Sequence, residues 1–247
     1  MRVLLEAQNV SCAFGSLLAL SEANLSVGQG EIVGLIGPNG AGKSTFFNCL
    51  AGDLKPTSGS IRFNDVDVTR ATAEQHALLG IGRTFQVPAT FEDMTILDNV
   101  MVGAFLRHHR RADAHAKAME VLRLTGLEAQ ADLGARSLGT PGRKRLEIAR
   151  VLAGDPKLML LDEALAGLTP AEIQRAIELV RRIHALGITI VIVEHIMEVI
   201  LTLAQRVLVF NQGRTIAQGK PSDVVKDPQV IEAYLGHRRH ARRERRG

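Results

Sequence analysis

Short apolar blocks separated by turn residues open the chain. Residues 4–11, 24–27, 32–36 and 60–64 have the makeup of strands, and turn signals at residues 28–30 and 57–59 divide them. Around residue 95 the period changes. Met94, Leu97, Met101 and Phe105, then Met119, Leu122 and Leu124, recur between charged residues, which predicts a helical stretch to residue 153 with these side chains turned inward. Beyond it, residues 158–162, 188–194 and 207–211 are apolar strands with helical segments between them, the order of a parallel sheet covered on both faces. One of those helices has both ends written in its residues. Thr169 is an N-cap, Pro170 the first helical residue, Glu172 completes a capping box and Gly187 stops the helix, which therefore spans about 170–186. Ile173, Ile177, Val180 and Ile183 share the face that packs on the sheet.

Size and composition narrow the class. With 247 residues, 46% of them hydrophobic, the chain can bury a sizeable core as one domain. Its longest apolar runs, such as 190–193 and 158–161, are far short of the ~20 residues that cross a bilayer, so any membrane association is expected to be peripheral. Residues 1–9 lack the apolar core of a secretory signal, and Cys12 and Cys49 have no metal or redox spacing, which predicts a reduced cytoplasmic setting with both thiols inert. The net charge of +4 is modest but uneven. Residues 237–247 carry several arginines against Glu244 alone and read as a disordered basic tail, a solvated end in preference to a site for anionic lipid headgroups or nucleic acid. His108, His109, His115, His237 and His240 lack the spacing of a ligand set, so no histidine metal centre is expected.

Candidate chemistry begins after the third apolar block. Gly37, Pro38, Asn39, Gly40, Ala41, Gly42, Lys43, Ser44 and Thr45 form a complete G-x-x-x-x-G-K-[ST] phosphate loop, so the chain is expected to bind a nucleoside triphosphate with Mg²⁺. The glycines let successive N–H groups face the phosphates, and the following helix N-terminus adds a favourable dipole. Lys43 is expected at the β- and γ-phosphates and Ser44 on Mg²⁺. The strand at 158–162 ends in Asp162 and Glu163, carboxylates at the C-terminal edge of the sheet. Asp162 is expected to bind Mg²⁺ through water and Glu163 to orient the attacking water. The strand from residue 188 runs into Glu194 and His195, and the histidine is expected at the γ-phosphate. Gln86, after residues 81–85, is unremarkable taken alone.

Together these residues resemble the ATP-binding cassette of ABC transporters over about residues 4–235, and most closely the ATPase subunits of branched-chain amino-acid importers. The stretches that carry the resemblance are FGSLLAL from Phe14, GEIVGLIGPNGAGKSTFFN from Gly30, GIGRTFQ from Gly80, RLEIARVLAG from Arg145, LMLLDEALAGLTP from Leu158, IVEH ending at His195 and PQVIEAYLG from Pro228. The resemblance implies an α/β fold, a P-loop NTPase cassette with a RecA-like core and an N-terminal antiparallel β subdomain. It places a helical subdomain at about 88–155, inserted in a single domain over 1–236. Phe14 would stack on adenine, Gln86 would be the Q-loop residue and a further Mg²⁺ ligand, Glu163 the catalytic carboxylate and His195 the switch histidine. ATP would be sandwiched between two cassettes at the cytoplasmic face of the inner membrane, the phosphate loop of one facing the signature loop of the other. Membrane permease subunits would dock a coupling helix on the helical insertion and residues 87–95, and an extracytoplasmic solute-binding protein would deliver the cargo, with branched-chain amino acids, amides and urea all open.

Three departures from the family pattern matter. Where the family has a signature similar to LSGGQ, this chain has Leu138, Gly139, Thr140, Pro141 and Gly142. Gly139 replaces the serine, and Pro141 replaces a glycine and has no N–H. Losing one such preorganised donor costs on the order of 10² in rate in comparable sites. Pairing with a different cassette would spare one of the two sites, so a heterodimer with one strong and one weak site is expected. Ala164 stands where the family commonly has proline, and Thr169 where its D-loop has an aspartate or asparagine. The altered signature also supports an alternative, a poorly hydrolysing regulatory cassette that clamps a partner. Soluble cassettes of the DNA-repair or translation type usually have a long coiled-coil insertion or a second cassette, and neither is visible here.

Overall fold

The computed structural model describes residues 2–234, and the basic tail at 237–247 lies outside the described residues. The chain divides into two units, Met1–Ala73 with Val191–Gly247, and Glu74–Ile190. In the first, β1 (Val3–Phe14) and β2 (Leu17–Gly28) make a long antiparallel hairpin. β3 (Ile32–Ile36) and α1 (Lys43–Ala51) follow, and β4 (Ser58–Phe63) and β5 (Val66–Asp67) complete a sheet of order β2-β1-β4-β5. Leu5, Val10, Leu20, Ala23, Val27 and Ile61 are fully buried in it or beneath it. β1 and β2 are both longer than the apolar pattern predicts. Register shifts between Ala7 and Val10, and again around Cys12, break the period-2 alternation that marks a strand in sequence, while the ladder itself continues to Phe14 opposite Leu17.

The second unit starts with α2 (Ala73–Leu79), which begins at the boundary, and β6 (Ile81–Arg83). α3 (Ile96–Ala104), α4 (Arg111–Thr125) and α5 (Thr140–Ala153) occupy the stretch read as helical, and all three pack on one another. The inward residues of α3 differ from expectation. Ile96, Val100 and Ala104 are fully buried and Met101 nearly so, whereas Met94 is 37% and Phe105 41% exposed. Thr95 is the N-cap of α3, so Met94 precedes the helix and escapes its periodicity. On the packed face, a Cβ at Gly103 would lie 1.9 Å from the Arg150 carbonyl oxygen of α5. That backbone approach selects the Val100–Ala104 side of the helix and leaves Phe105 outside. In α4, Leu122 is buried as expected, while Met119 and Leu124 are only half-buried.

β7 (Leu158–Asp162), with all five residues buried, runs parallel to β6, Ile81 opposite Leu158 and Arg83 opposite Leu160. α6 (Pro170–Ala185) follows with its predicted cap: the Thr169 N–H and hydroxyl both donate to Glu172 Oε2 at 2.8 Å. Ile173, Ile177, Val180 and Ile183 form its buried stripe. β8 (Thr189–Val193) is again wholly buried and contains the boundary between the units. Back in the first unit, α7 (Met197–Leu203), β9 (Arg206–Asn211), β10 (Arg214–Gly219) and α8 (Pro221–Val224) end the described elements. β9 lies parallel to β3 and antiparallel to β10. Phe46 of α1 and Phe210 of β9, both fully buried, stack with ring centroids 5.2 Å apart. Parallel strand pairs, an antiparallel N-terminal sheet and helices make this a mixed α/β fold.

Candidate functional site

In the first unit the site residues gather around the exit of β3. All five residues of that strand are buried, and it delivers the chain to Gly37, at φ +148. A Cβ on Gly37 would lie 2.2 Å from the Phe210 carbonyl oxygen, so the strand can turn here only with glycine. The phosphate loop is tied from behind. Gly213 N–H donates to the Ala41 carbonyl at 2.9 Å, and Ser21 N–H donates to the Gly213 carbonyl at 2.8 Å. Lys43 is buried, its ammonium donating to the carbonyls of Gly37 at 2.7 Å and Pro38 at 2.9 Å. Asn39, Gly40 and Ser44 are exposed, and a Cβ on Gly40 would meet nothing within 4 Å, which leaves open space before the loop. The first turn of α1 carries no acidic side chain. A buried cation, an unblocked helix N-terminus and a concave glycine turn are the donor set a polyphosphate requires.

Two more predicted residues belong to this unit. Phe14 closes β1 and is half exposed beside Leu17 and Leu18, an apolar hairpin tip in water. His195 is exposed, just after β8, and Glu194 before it is buried. Tyr234 was not visible as a site residue from sequence. Burial pushes its phenol up, and the Gly37 backbone beside it draws it partly back. The sole tyrosine of the chain thus supports the first turn of the phosphate loop. Cys12 and Cys49 are free and buried, with burial pushing the Cys49 thiol up to about 12, so both are unreactive at neutral pH.

The second unit brings Gln86, Asp162 and Glu163 together at the end of β7. Asp162 N–H donates to Thr84 Oγ1 at 3.1 Å, and the Asp162 carboxylate pairs with Arg83 at 3.1 Å. The Arg83 guanidinium also lies over the Phe85 ring, 5.1 Å from its centroid. Glu163 adopts φ +47, a left-handed conformation that costs a non-glycine residue on the order of 1 kcal/mol. The turn leads its carboxylate to Gln86, whose Nε2 donates to Glu163 Oε2 at 2.7 Å. α5 supports this arrangement from below. Lys144 Nζ donates to the Glu163 carbonyl at 3.0 Å, and Glu147 Oε1 accepts from Phe85 N–H at 3.1 Å and Ala89 N–H at 3.4 Å, on either side of Gln86. Burial pushes the Glu147 carboxyl up, against the pull of those two N–H groups.

Arg83, Lys144 and Glu147 were missed in the sequence. A readable signal did exist: Lys144 and Glu147 stand three apart on one helix, on the side that Ile148 shares, so two charged residues neighbour an apolar one there.

The altered signature opens α5. Gly139 is its N-cap, at φ −68 and ψ 173, with no side-chain cap bond, and Pro141 sits in the first turn. Arg143 clamps the loop, donating to the Leu138 carbonyl at 3.0 Å and to Glu92 at 2.9 Å. Between Gln86 and α3 the chain shows apolar side chains to water, Val87 at 78% and Phe91 at 46% exposure. Buried Asn99 holds Phe91 in place through its N–H and its carbonyl, at 2.8 and 2.9 Å. Among the described residues no group of three or more His, Cys, Asp and Glu side chains could hold a metal, and no helix is long and apolar enough to cross a membrane. His108 instead pairs with Asp155 at 3.0 Å, which also takes Lys117 at 2.7 Å.

Comparison with known proteins finds related sequences and folds. A family model described as ABC transporter matches residues 20–166, and one described as branched-chain amino acid ATP-binding cassette transporter matches residues 214–240. The chain is 37% identical to the high-affinity branched-chain amino acid transport ATP-binding protein LivG of Escherichia coli (strain K12), over 94% of this chain and 98% of that protein. It superposes with a TM-score of 0.87 on a crystal structure of the ADP conformation of an ATP-binding cassette of an ABC transporter, at 31% identity, covering 96% of this chain and 100% of the other. A dimeric cassette in a post-hydrolysis state, bound to ADP and Pi, matches with a TM-score of 0.80 at 25% identity, covering 88% and 99%.

Proposed function

Because the chain belongs to the ABC transporter family of ATP-binding cassettes, we propose that it is the ATP-hydrolysing subunit of a branched-chain amino-acid importer, held at the cytoplasmic face of the membrane by its permease partners. The observation that carries the ATPase reading is the 2.7 Å bond from Gln86 to Glu163, which aims the carboxylate expected to orient water. The cargo reading rests on the LivG relative and on the C-terminal match at 214–240.

Lys43, with the N–H groups of the loop between residues 37 and 45, binds the phosphates, Phe14 takes the adenine face, and Ser44, Asp162 and Gln86 would hold Mg²⁺. When bound, Mg²⁺ would supply charge neutralisation to the triphosphate. Glu163 orients and polarises the attacking water, and His195 contacts the γ-phosphate. Asp162 is oriented by Arg83 at its carboxylate and by the Thr84 hydroxyl at its backbone N–H. The apolar side chains of Val87 and Phe91 form part of the surface that receives a permease helix, and the link from Glu147 to Phe85 and Ala89 carries its movement to Gln86.

The partner cassette is a different chain. Gly139 has no hydroxyl to offer across a dimer and Pro141 no N–H, so a second copy would give two weak sites, while a partner with an intact signature would complete the phosphate loop of this chain.

Glu163→Gln in the assembled, reconstituted complex tests the reading. The expected result is a loss of at least 100-fold in ATP turnover and of leucine uptake, with nucleotide binding retained, on the order of the effect of removing one such catalytic group. Unchanged turnover would favour a regulatory cassette that binds ATP without relying on its own carboxylate. Co-purification of two membrane proteins and a second cassette supports the heterodimer, whereas recovery of this cassette alone with the membrane proteins overturns it.

A further inference from the structure

Two of the three departures of this chain from its family pattern, the signature and Ala164, converge in space. Gly139 and Pro141 of the signature and Ala164 after Glu163 all line one cavity of 330 Å³ in the second unit, between the start of α5 and one side of α6. Two of the three are smaller than the residues the family uses there. The floor is aliphatic, with Leu138, Ile148 and Leu179 buried along it. The lining also carries three cationic residues, Lys144, Arg145 and Arg175, and one carboxylate, Glu172, with the Lys144 ammonium engaged by the Glu163 carbonyl. Neither arginine forms a salt bridge among the described residues. Glu172 Oε2 is occupied by the Thr169 N–H and hydroxyl, and those bonds, with the more distant Arg175 and Arg145, hold its carboxyl below the usual range.

With Lys144 engaged by the Glu163 carbonyl, an aliphatic floor beside two guanidinium groups and one carboxylate is the complement of a small zwitterion with a branched apolar side chain. Guanidinium forks recognise a carboxylate, a carboxylate takes an ammonium, and buried Leu and Ile surfaces exclude water from a hydrocarbon group. The volume is at the lower end of ligand pockets and suits a molecule of about ten non-hydrogen atoms with accompanying water.

We propose that this cavity binds a branched-chain amino acid on the cytoplasmic side of the membrane and reports its accumulation to the ATPase. The inference rests on the cargo reading above and adds a second, regulatory place for that cargo. The route to the chemistry is short. Lys144, also in the cavity wall, donates to the Glu163 carbonyl at 3.0 Å, and Ala164 is the next residue after the strained Glu163 turn. An occupant therefore contacts the signature loop and the support of the catalytic carboxylate at once, and lowers turnover by restraining both.

Isothermal titration of the purified full chain with L-leucine, glycine, 4-methylpentanoic acid and 3-methylbutylamine tests the site. Leucine is expected to bind with a Kd on the order of 1 mM, about what nine non-hydrogen atoms at moderate efficiency supply. Glycine lacks the side chain, the acid the ammonium and the amine the carboxylate, so each should bind at least tenfold more weakly. Arg175→Ala, at an exposed position of α6, and Ala176→Phe, which fills the cavity, should each weaken leucine at least tenfold, with circular dichroism confirming that both variants fold.

Absence of leucine binding up to 20-fold above ~1 mM, or equal binding of glycine, overturns the proposal, as does leucine binding that both variants leave intact. Competition between leucine and ADP overturns it too, since the cavity would then belong to a nucleotide site. Leucine uptake by the reconstituted importer is measured separately. Uptake without binding overturns the regulatory site and leaves the importer reading standing, and binding without uptake overturns both.

Discussion

Gly139 shows how one side chain separates a stability effect from a catalytic one. Its φ of −68 and ψ of 173 suit any residue, and a Cβ there would meet only Pro141 Cδ, at 3.9 Å. Gly139→Ser should therefore fit without strain and change unfolding free energy by only a few tenths of a kcal/mol, the usual difference between serine and glycine at an N-cap. It restores a hydroxyl at the start of α5, so ATP turnover of the assembled complex is expected to rise several-fold. Unchanged turnover would assign the defect to Pro141, whose missing N–H serine cannot replace. Glu147 gives the pH prediction. Its carboxyl is pushed up by burial, so the folded chain binds that proton more tightly than the unfolded chain does. Its contribution to stability consequently falls as pH rises from the unfolded value of about 4.3 to the raised folded one, and stays low above it. Glu147→Gln keeps an acceptor for Phe85 and Ala89 N–H and removes the titration. Urea unfolding from pH 4 to 7 should show the variant gaining on the wild type through that window, and a constant difference would contradict the assignment.

At the scale of elements, the tight junction between α3 and α5 organises the helical stretch. A methyl group on Gly103 would collide with the Arg150 carbonyl, so Gly103→Ala is expected to destabilise the chain by about 2 kcal/mol through overpacking, read from denaturant unfolding. The same junction explains which expectations from sequence failed. Periodicity alone marked Met94 and Phe105 as inward, but the start of α3 at Thr95 and the backbone approach at Gly103 chose Ile96, Val100 and Ala104 instead. α6 was legible because its signals are local. Thr169, Pro170 and Glu172 are close enough in the chain to form the cap whatever lies around them, and Ile173, Ile177, Val180 and Ile183 are buried as their spacing requires. β1 and β2 were legible only in part, since bulges shift the alternation while pairing with a long neighbour continues.

For the molecule as a whole, nucleotide binding should appear as stability. Mg²⁺ with ADP at about 100 times its Kd is expected to add about 2.7 kcal/mol to the unfolding free energy, and Lys43→Ala should remove most of that increment. An equal increment in the variant would exclude the phosphate loop as the binding site. What the sequence by itself determined was the chemistry of contiguous segments: a phosphate loop between strand and helix, a carboxylate pair ending an apolar strand, and a helix with its own cap. Backbone spacing along a few residues specifies those, so no distant contact is needed to read them. Only the tertiary structure decided which remote side chains meet. Gln86 reaches Glu163 across 77 residues of sequence, Glu147 braces the backbone on either side of Gln86, and Gly139, Pro141 and Ala164 come to share one cavity. Such meetings depend on how buried faces pack, and packing answers to volume and burial over the whole unit rather than to the order of neighbouring residues.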